Sequence, residues 1–293
     1  MDQATRLRQM VDTNKMSEKA RVIAVTSGKG GVGKTSVSVN LAIEIAKMGK
    51  RVVVFDADFG LANVEVMLGI RPKYNLLDLF HHGKSIEEII TEGPNGIGFI
   101  SSGSGVSELA SMDYDSIKLL VAEMDKLDRL YDVVIIDTGA GITDSVMEFV
   151  MVSPEILLVV TPEPTSITDA YSLLKVLRRK EEFNPMYKTI NVVSNRVTDT
   201  NEGRDIFNKM NTVSSKFLNT KLQFLGAITQ DRNVSLAIIE QKPVCLAYPN
   251  TVATKGIANI ASRLMNEKVP EYTTKEGIAK VFFDFLKSKK KKR

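Results

Sequence analysis

The stretch "VIAVTSGKGGVGKTSVSVNLA", starting at Val22, limits what this chain can fold into more than any other. An apolar run leads into a glycine-rich turn, which opens onto a helical pattern closed by Gly49. Gly28, Lys29, Gly30, Gly31, Val32, Gly33, Lys34 and Thr35 fit the template G-x-x-x-x-G-K-[ST]. Glycines let successive backbone N–H groups turn inward onto phosphate oxygens, and the following helix adds its N-terminal dipole. Lys34 can then reach the β- and γ-phosphates of a nucleotide, and the Thr35 hydroxyl can bind Mg²⁺. A glycine-rich turn with incidental lysines is the bland alternative, and the flanking strand and helix speak against it. The loop also holds a second lysine, Lys29, that phosphate binding alone does not require.

Six further runs read as buried strands: "RVVVF" from Arg51, "IGFIS" from Ile97, "DVVIID" from Asp132, "ILLVVT" from Ile156, "TINVVS" from Thr189 and "FLGAI" from Phe224. They are apolar throughout, as strands covered on both faces must be. Helical patterns separate most of them, for example "DSIKLLVAEMDKLDRL". The alternation predicts an α/β fold, a mostly parallel sheet with helices on both faces. Asp56 and Asp58 end one strand in "VVVFDADFG", and Asp137 ends another in "DVVIIDTGAG". Ligands of open α/β sheets collect at the carboxyl ends of strands, so these carboxylates are expected to face the loop. There a carboxylate can hold Mg²⁺ or its waters, or orient an attacking water.

Composition closes off other classes. A single cysteine, Cys245, excludes an internal disulfide and any site built from clustered thiolates. No apolar run approaches the ~20 residues needed to span a bilayer. The net charge is +4, yet "KSKKKKR" at the C-terminus holds six basic side chains, leaving the rest slightly acidic. Such a concentrated cation suits an anionic surface meeting the tail better than a broadly basic nucleic-acid groove.

The tail also has a pattern. On a helix at 100° per residue, Ile278, Val281, Phe282, Phe285 and Leu286 fall on one side, with Lys280, Asp284 and Lys287 opposite. An apolar stripe followed by a dense basic run suits a helix lying in a membrane surface, where each lysine contributes on the order of 1 kcal/mol. The same stripe could pack on its own domain, and both hold if the helix is docked in one state and released in another. At the other end, "DQATRLRQMV" can form a short helix capped by Asp2, with Ala4, Leu7 and Val11 along one side. The expected organisation is a helix and linker over 1–20, a nucleotide-binding domain over 21–270 and the amphipathic basic helix over 271–293.

The "KGGVGKT" loop with its additional lysine, the "DAD" strand end and "IIDTGAG" together resemble the MinD/ParA-type ATPases, with their deviant Walker A loop, over residues 20–266. The resemblance implies slow, switch-type hydrolysis of ATP to ADP and phosphate with Mg²⁺. It implies that Lys29 crosses to the nucleotide of a second subunit in an ATP-bound homodimer. Asp58 would position or activate the attacking water, with Lys34 and Lys29 stabilising the phosphoryl charge, while Asp56 and Asp137 organise the Mg²⁺ shell. In "VVSNRV", Asn195 matches the family's adenine-reading asparagine, followed by Arg196. This chain departs from its relatives in "GAITQDRN", where Thr229 stands in place of a usual proline. The family's terminal targeting helix matches the tail, implying a cytoplasmic protein that cycles to the inner face of the cell membrane.

The preface resembles the flagellar number and placement branch of that family, whose N-terminal D-Q-A-x-x-L-R is matched by Asp2, Gln3, Ala4, Leu7 and Arg8. That resemblance implies stimulation of the flagellar signal-recognition-type GTPase FlhF, with Gln3 entering the partner's site, where a glutamine can orient a hydrolytic water. It also implies flagellar switch-complex proteins as further partners. The rival readings keep the same chemistry: a MinD-like regulator of the division site, or a ParA-like partition ATPase. A partition ATPase would use the tail on DNA, but DNA binding does not need Phe282, Phe285 and Leu286 on one side.

Overall fold

The computed structural model describes residues 19–58, 63–103, 114–181, 183–266 and 277–291. Its frame is an eight-stranded sheet: β1 (Arg21–Thr26), β2 (Val52–Ala57), β3 (Thr91–Glu92), β4 (Gly98–Ser101), β5 (Val133–Thr138), β6 (Glu155–Val160), β7 (Thr189–Val197) and β8 (Gln223–Thr229). The order is β3-β4-β2-β5-β1-β6-β7-β8. Every pairing is parallel except β3 with β4. All seven strands expected from the sequence are present. The eighth, β3, is two residues long and sits antiparallel at the edge, too short for any periodicity to reveal.

The longer helices are α1 (Lys34–Lys47), α2 (Tyr114–Leu130), α3 (Asp144–Val152), α4 (Pro164–Arg179), α5 (Thr200–Leu218), α6 (Arg232–Ile239), α7 (Val252–Asn266) and α8 (Ile278–Lys291). They cover both faces of the sheet, and the strands show how. In β5, Val133 and Ile135 join a cluster with α1 and α7, whereas Val134 and Ile136 join one with α2 and α8. In β6, Leu157 and Val159 share the first cluster, while Ile156, Leu158 and Val160 pack with α4 and α5. Successive side chains point to opposite faces, so a strand covered on both sides must be apolar at every position.

The C-terminal helix belongs to this architecture. Ile278, Val281, Phe282, Phe285 and Leu286 are all buried, in one cluster with Phe55, Leu127 and Phe149. Phe282 meets Phe55 edge-on with ring centroids 5.1 Å apart, and Phe285 stacks on Phe149 at 4.0 Å. Aromatic pairs of this kind add ~0.5–1.5 kcal/mol beyond the area they bury. The stripe that fits a membrane surface is thus docked on its own domain. No helix among the described residues is long and apolar enough to cross a membrane. Asp2, Gln3, Ala4, Leu7 and Arg8 lie outside the described residues, as do the side chains from Ser288 onward.

Candidate nucleotide site

The loop between β1 and α1 is shaped by its glycines. Gly33 is left-handed, with φ +93°, and a Cβ there would lie 2.6 Å from the Asn195 amide nitrogen. Both facts demand glycine. A side chain at Gly28 would run into the backbone of Asp169 and Ala170 on α4. The loop is also braced from within and beside: Ser27 Oγ donates to the Lys29 carbonyl at 2.6 Å, and the Gly141 amide donates to the Ser27 carbonyl at 3.0 Å.

Lys34, the first residue of α1, is buried. Burial pulls its pKa down, and the charges of Asp137 and Asp58 oppose that pull. Asp137 is fully buried and accepts hydrogen bonds from Thr35 Oγ1 at 2.6 Å and Ser38 Oγ at 2.7 Å. Asp56 sits directly across from Asp137 in the β2–β5 register. Its carboxylate accepts from the Asp58 amide at 3.0 Å and the Val64 amide at 3.2 Å. Burial, followed by the charge of Asp137, pushes the Asp56 carboxyl up to about 8. Burial also raises Asp137 to about 6, although the Thr35 and Ser38 hydroxyls pull it back. Carboxylates crowded this way in a desolvated site are short of positive charge.

Asp58 ends the row. Its Oδ2 accepts from Asn63 Nδ2 at 3.0 Å, and its Oδ1 lies close to Gly139 in the loop after β5. Asn63 is not among the residues that the sequence motifs single out. A carboxylate followed five residues later by an amide at a helix start carries no signal until the turn between them is known.

Magnesium fits this donor set. Among the described residues no three acidic, histidine or cysteine groups converge into a protein-only cage. Magnesium is commonly held by one or two protein groups together with phosphate oxygens and waters. Thr35 and Asp137 would hold it directly or through water, with Asp56 behind them. Bound there it would polarise the phosphoryl oxygens and offset the buried negative charge.

Asn195, at the end of β7, spends its amide on the chain itself. Nδ2 donates to the Val32 carbonyl at 2.8 Å, tying the phosphate loop to the sheet, and Oδ1 accepts from the Arg196 amide at 2.9 Å. Arg196 is left-handed at φ +58°. A cavity of about 240 Å³ opens beside them, lined by Gly33, Val37, Asn195, Arg196, Thr229 and Ile257 among others. It adjoins the phosphate loop, as a base pocket must.

The structure brings Lys34, Thr35, Asp56, Asp58 and Asp137 together and leaves Lys29 apart from them. Lys29 Nζ reaches Glu163 Oε2 at 2.6 Å and Thr165 Oγ1 at 2.9 Å, at the start of α4. This contact is solvent-exposed, and Lys29 holds the Glu163 carboxyl below the usual range.

Comparison with known proteins gives this geometry its relatives. The ParA family model, described as an NUBPL iron-transfer P-loop NTPase, matches residues 18–265. The antiactivator FleN of Pseudomonas aeruginosa is 41% identical over 251 residues, covering 85% of this chain and 88% of that protein. The flagellum site-determining protein YlxH of Helicobacter pylori is 32% identical over 275 residues, 91% of this chain and 90% of that one. Among solved structures, the MinC:MinD cell division complex of Aquifex aeolicus superposes with a TM-score of 0.65 at 26% identity. It covers 86% of this chain and 98% of the matched one.

Proposed function

The chain belongs to the ParA/MinD family of P-loop ATPases, in the FlhG branch that includes FleN and YlxH, and from that premise we propose a membrane-cycling switch that regulates flagellar number and placement. ATP with Mg²⁺ binds over Gly28–Thr35, its base entering the cavity beside Asn195 and Arg196. Asp58 orients the attacking water, and Asn63 holds the carboxylate for that task. Lys34 follows the charge on the β- and γ-phosphates through the transition state, where fixed electrostatics matter most.

The observation that carries the switch reading is the position of Lys29. It lies in the phosphate loop yet makes its contacts outside the phosphate site, on an exposed acid at the start of α4. A lysine so placed is available to a second subunit. When two ATP-bound copies meet, Lys29 leaves Glu163 and contacts the partner's phosphates, so ATP becomes the condition for dimerisation. The dimer releases α8, and two such helices bind an anionic membrane where one would bind marginally. Hydrolysis returns a monomer with α8 docked. At the membrane, the N-terminal segment with Asp2, Gln3, Ala4, Leu7 and Arg8 stimulates the GTPase FlhF. The monomer is the form that meets flagellar switch-complex proteins.

The test of the pathway is GTP turnover by purified FlhF, with and without a peptide covering Met1–Asn14 and with its Gln3→Ala counterpart. The expected result is stimulation that disappears with Gln3→Ala. No stimulation of a partner competent in GTP binding overturns the FlhF assignment.

A further inference from the structure

The amide of Ile278, first residue of α8, donates to Asp128 Oδ1 at 3.0 Å. Asp128 belongs to α2, 150 residues earlier in the chain. Helices normally draw their N-terminal cap from the residue just before them. Here that residue is Gly277, whose carbonyl accepts from the Lys280 and Val281 amides but which has no side chain to offer. The cap comes instead from outside, and Gly277 is what lets it approach. A Cβ at 277 would collide with the Asp128 carboxylate.

The arrangement has a cost built in. Asp128 is 4% exposed, and its second oxygen, Oδ2, makes no hydrogen bond among the described residues. A buried carboxylate with one oxygen left unpaired is poorly compensated for the water it has lost. Undocking α8 removes the cap but returns that carboxylate to water. We propose that Asp128 is the positioning residue that sets the docking strength of the C-terminal helix, fastening it by its N-terminus while the buried carboxylate keeps the docked state close to release. This rests on the reading that α8 leaves its groove in the ATP-bound dimer.

The charged surroundings fix the sign of its pH dependence. Burial pushes the Asp128 carboxyl up to about 6; the Ile278 amide, the Lys19 charge and the Ala20 amide oppose the shift, and Asp125 on the same helix adds to it. A released Asp128 would have an ordinary carboxylate value, so the docked state holds more protons between the two values. Docking therefore strengthens as pH falls through about 6 and weakens as pH rises through it.

Hydrogen exchange of the full-length protein, without lipid, tests this. Protection of the amides at 279–287, corrected for intrinsic pH dependence, is compared at pH 5.5 and 7.5, with and without ATP and Mg²⁺. Without nucleotide, protection is expected to rise about fourfold at the lower pH, as a shift from 3.8 to about 6 requires, and Asp128→Asn to abolish the step. Gly277→Ala is expected to lower protection about tenfold at both pH values by displacing the cap. The absence of a step in the unmodified protein, an equal step in Asp128→Asn, or unchanged protection in Gly277→Ala overturns the proposal. If ATP fails to lower protection of the helix in every form, the release reading falls instead, and the step at Asp128 is judged separately.

Discussion

Lys29 and Glu163 form an ion pair at 2.6 Å that joins the phosphate loop to the start of α4. Any contact Lys29 makes with a second subunit must first break this pair. Removing the acid therefore favours the dimer: Glu163→Gln should lower the protein concentration at which ATP-dependent dimers form by a few-fold, in sedimentation velocity. Lys29→Ala should keep nucleotide binding and lose the dimer. If Lys29→Ala dimerises with ATP as the unmodified protein does, the two-subunit site is refuted.

Asp58 tests the chemistry apart from the switch. With its partner Asn63 in place, Asp58→Ala should reduce phosphate release by about 10²–10⁴-fold and leave ATP binding and the ATP-dependent dimer intact. Asn63→Ala removes the 3.0 Å hydrogen bond and should give a smaller loss of the same kind. Turnover by Asp58→Ala at the unmodified rate would assign the water to another group.

Phe282 lies between Phe55 and Phe149, buried on every side. Phe282→Ala should destabilise the protein by about 3–5 kcal/mol in denaturant unfolding, less if α8 detaches as a unit. Phe282→Glu should detach the helix while spoiling its apolar face. Its binding to anionic liposomes should be lost even though the helix is free and ATP affinity is kept. Unchanged sedimentation with vesicles would sink the membrane role of this face.

The metal-free protein should respond to pH through Asp56 and Asp137. Both folded-state values, about 8 and about 6, lie above the ordinary 3.8. The folded chain thus holds more protons than the unfolded chain between these limits, and stability falls as pH rises from about 4 to about 8. In EDTA the melting temperature should drop by about 5 °C between pH 5.5 and 8.5, and Mg²⁺ with nucleotide should shrink the drop. A flat profile in EDTA, or one unchanged in Asp56→Asn, would remove these two groups as its cause.

Much of the site was legible because it is local. The loop from Gly28 to Thr35 is contiguous, and Asp56, Asp58 and Asp137 each end an apolar run whose carboxyl end must lie near it. What stayed hidden depends on the order of the strands. Glu163 meets Lys29 because β6 lies beside β1, and Asn195 reaches Val32 because β7 is next in line. Neither adjacency follows from periodicity. The tail shows the same limit: an amphipathic stripe specifies an apolar partner without saying whether that partner is lipid or Phe149. Asp128 was invisible for a different reason, since a cap supplied 150 residues away leaves no mark near the helix it caps.

The period of two along β2 has a mechanical consequence. Val52 and Val54 face the α1 side of the sheet, Val53, Phe55 and Ala57 face the α8 side, and Asp56 follows the first set. Asp56, proposed for the magnesium shell, and Phe55, which packs on Phe282 of the tail helix, are consecutive, with Cα atoms ~3.8 Å apart and side chains on opposite faces. Twisting the end of this strand by a few degrees to seat a phosphate must swing Phe55 the other way. One peptide link would serve as the lever between nucleotide and membrane, with no relay of side chains across the domain.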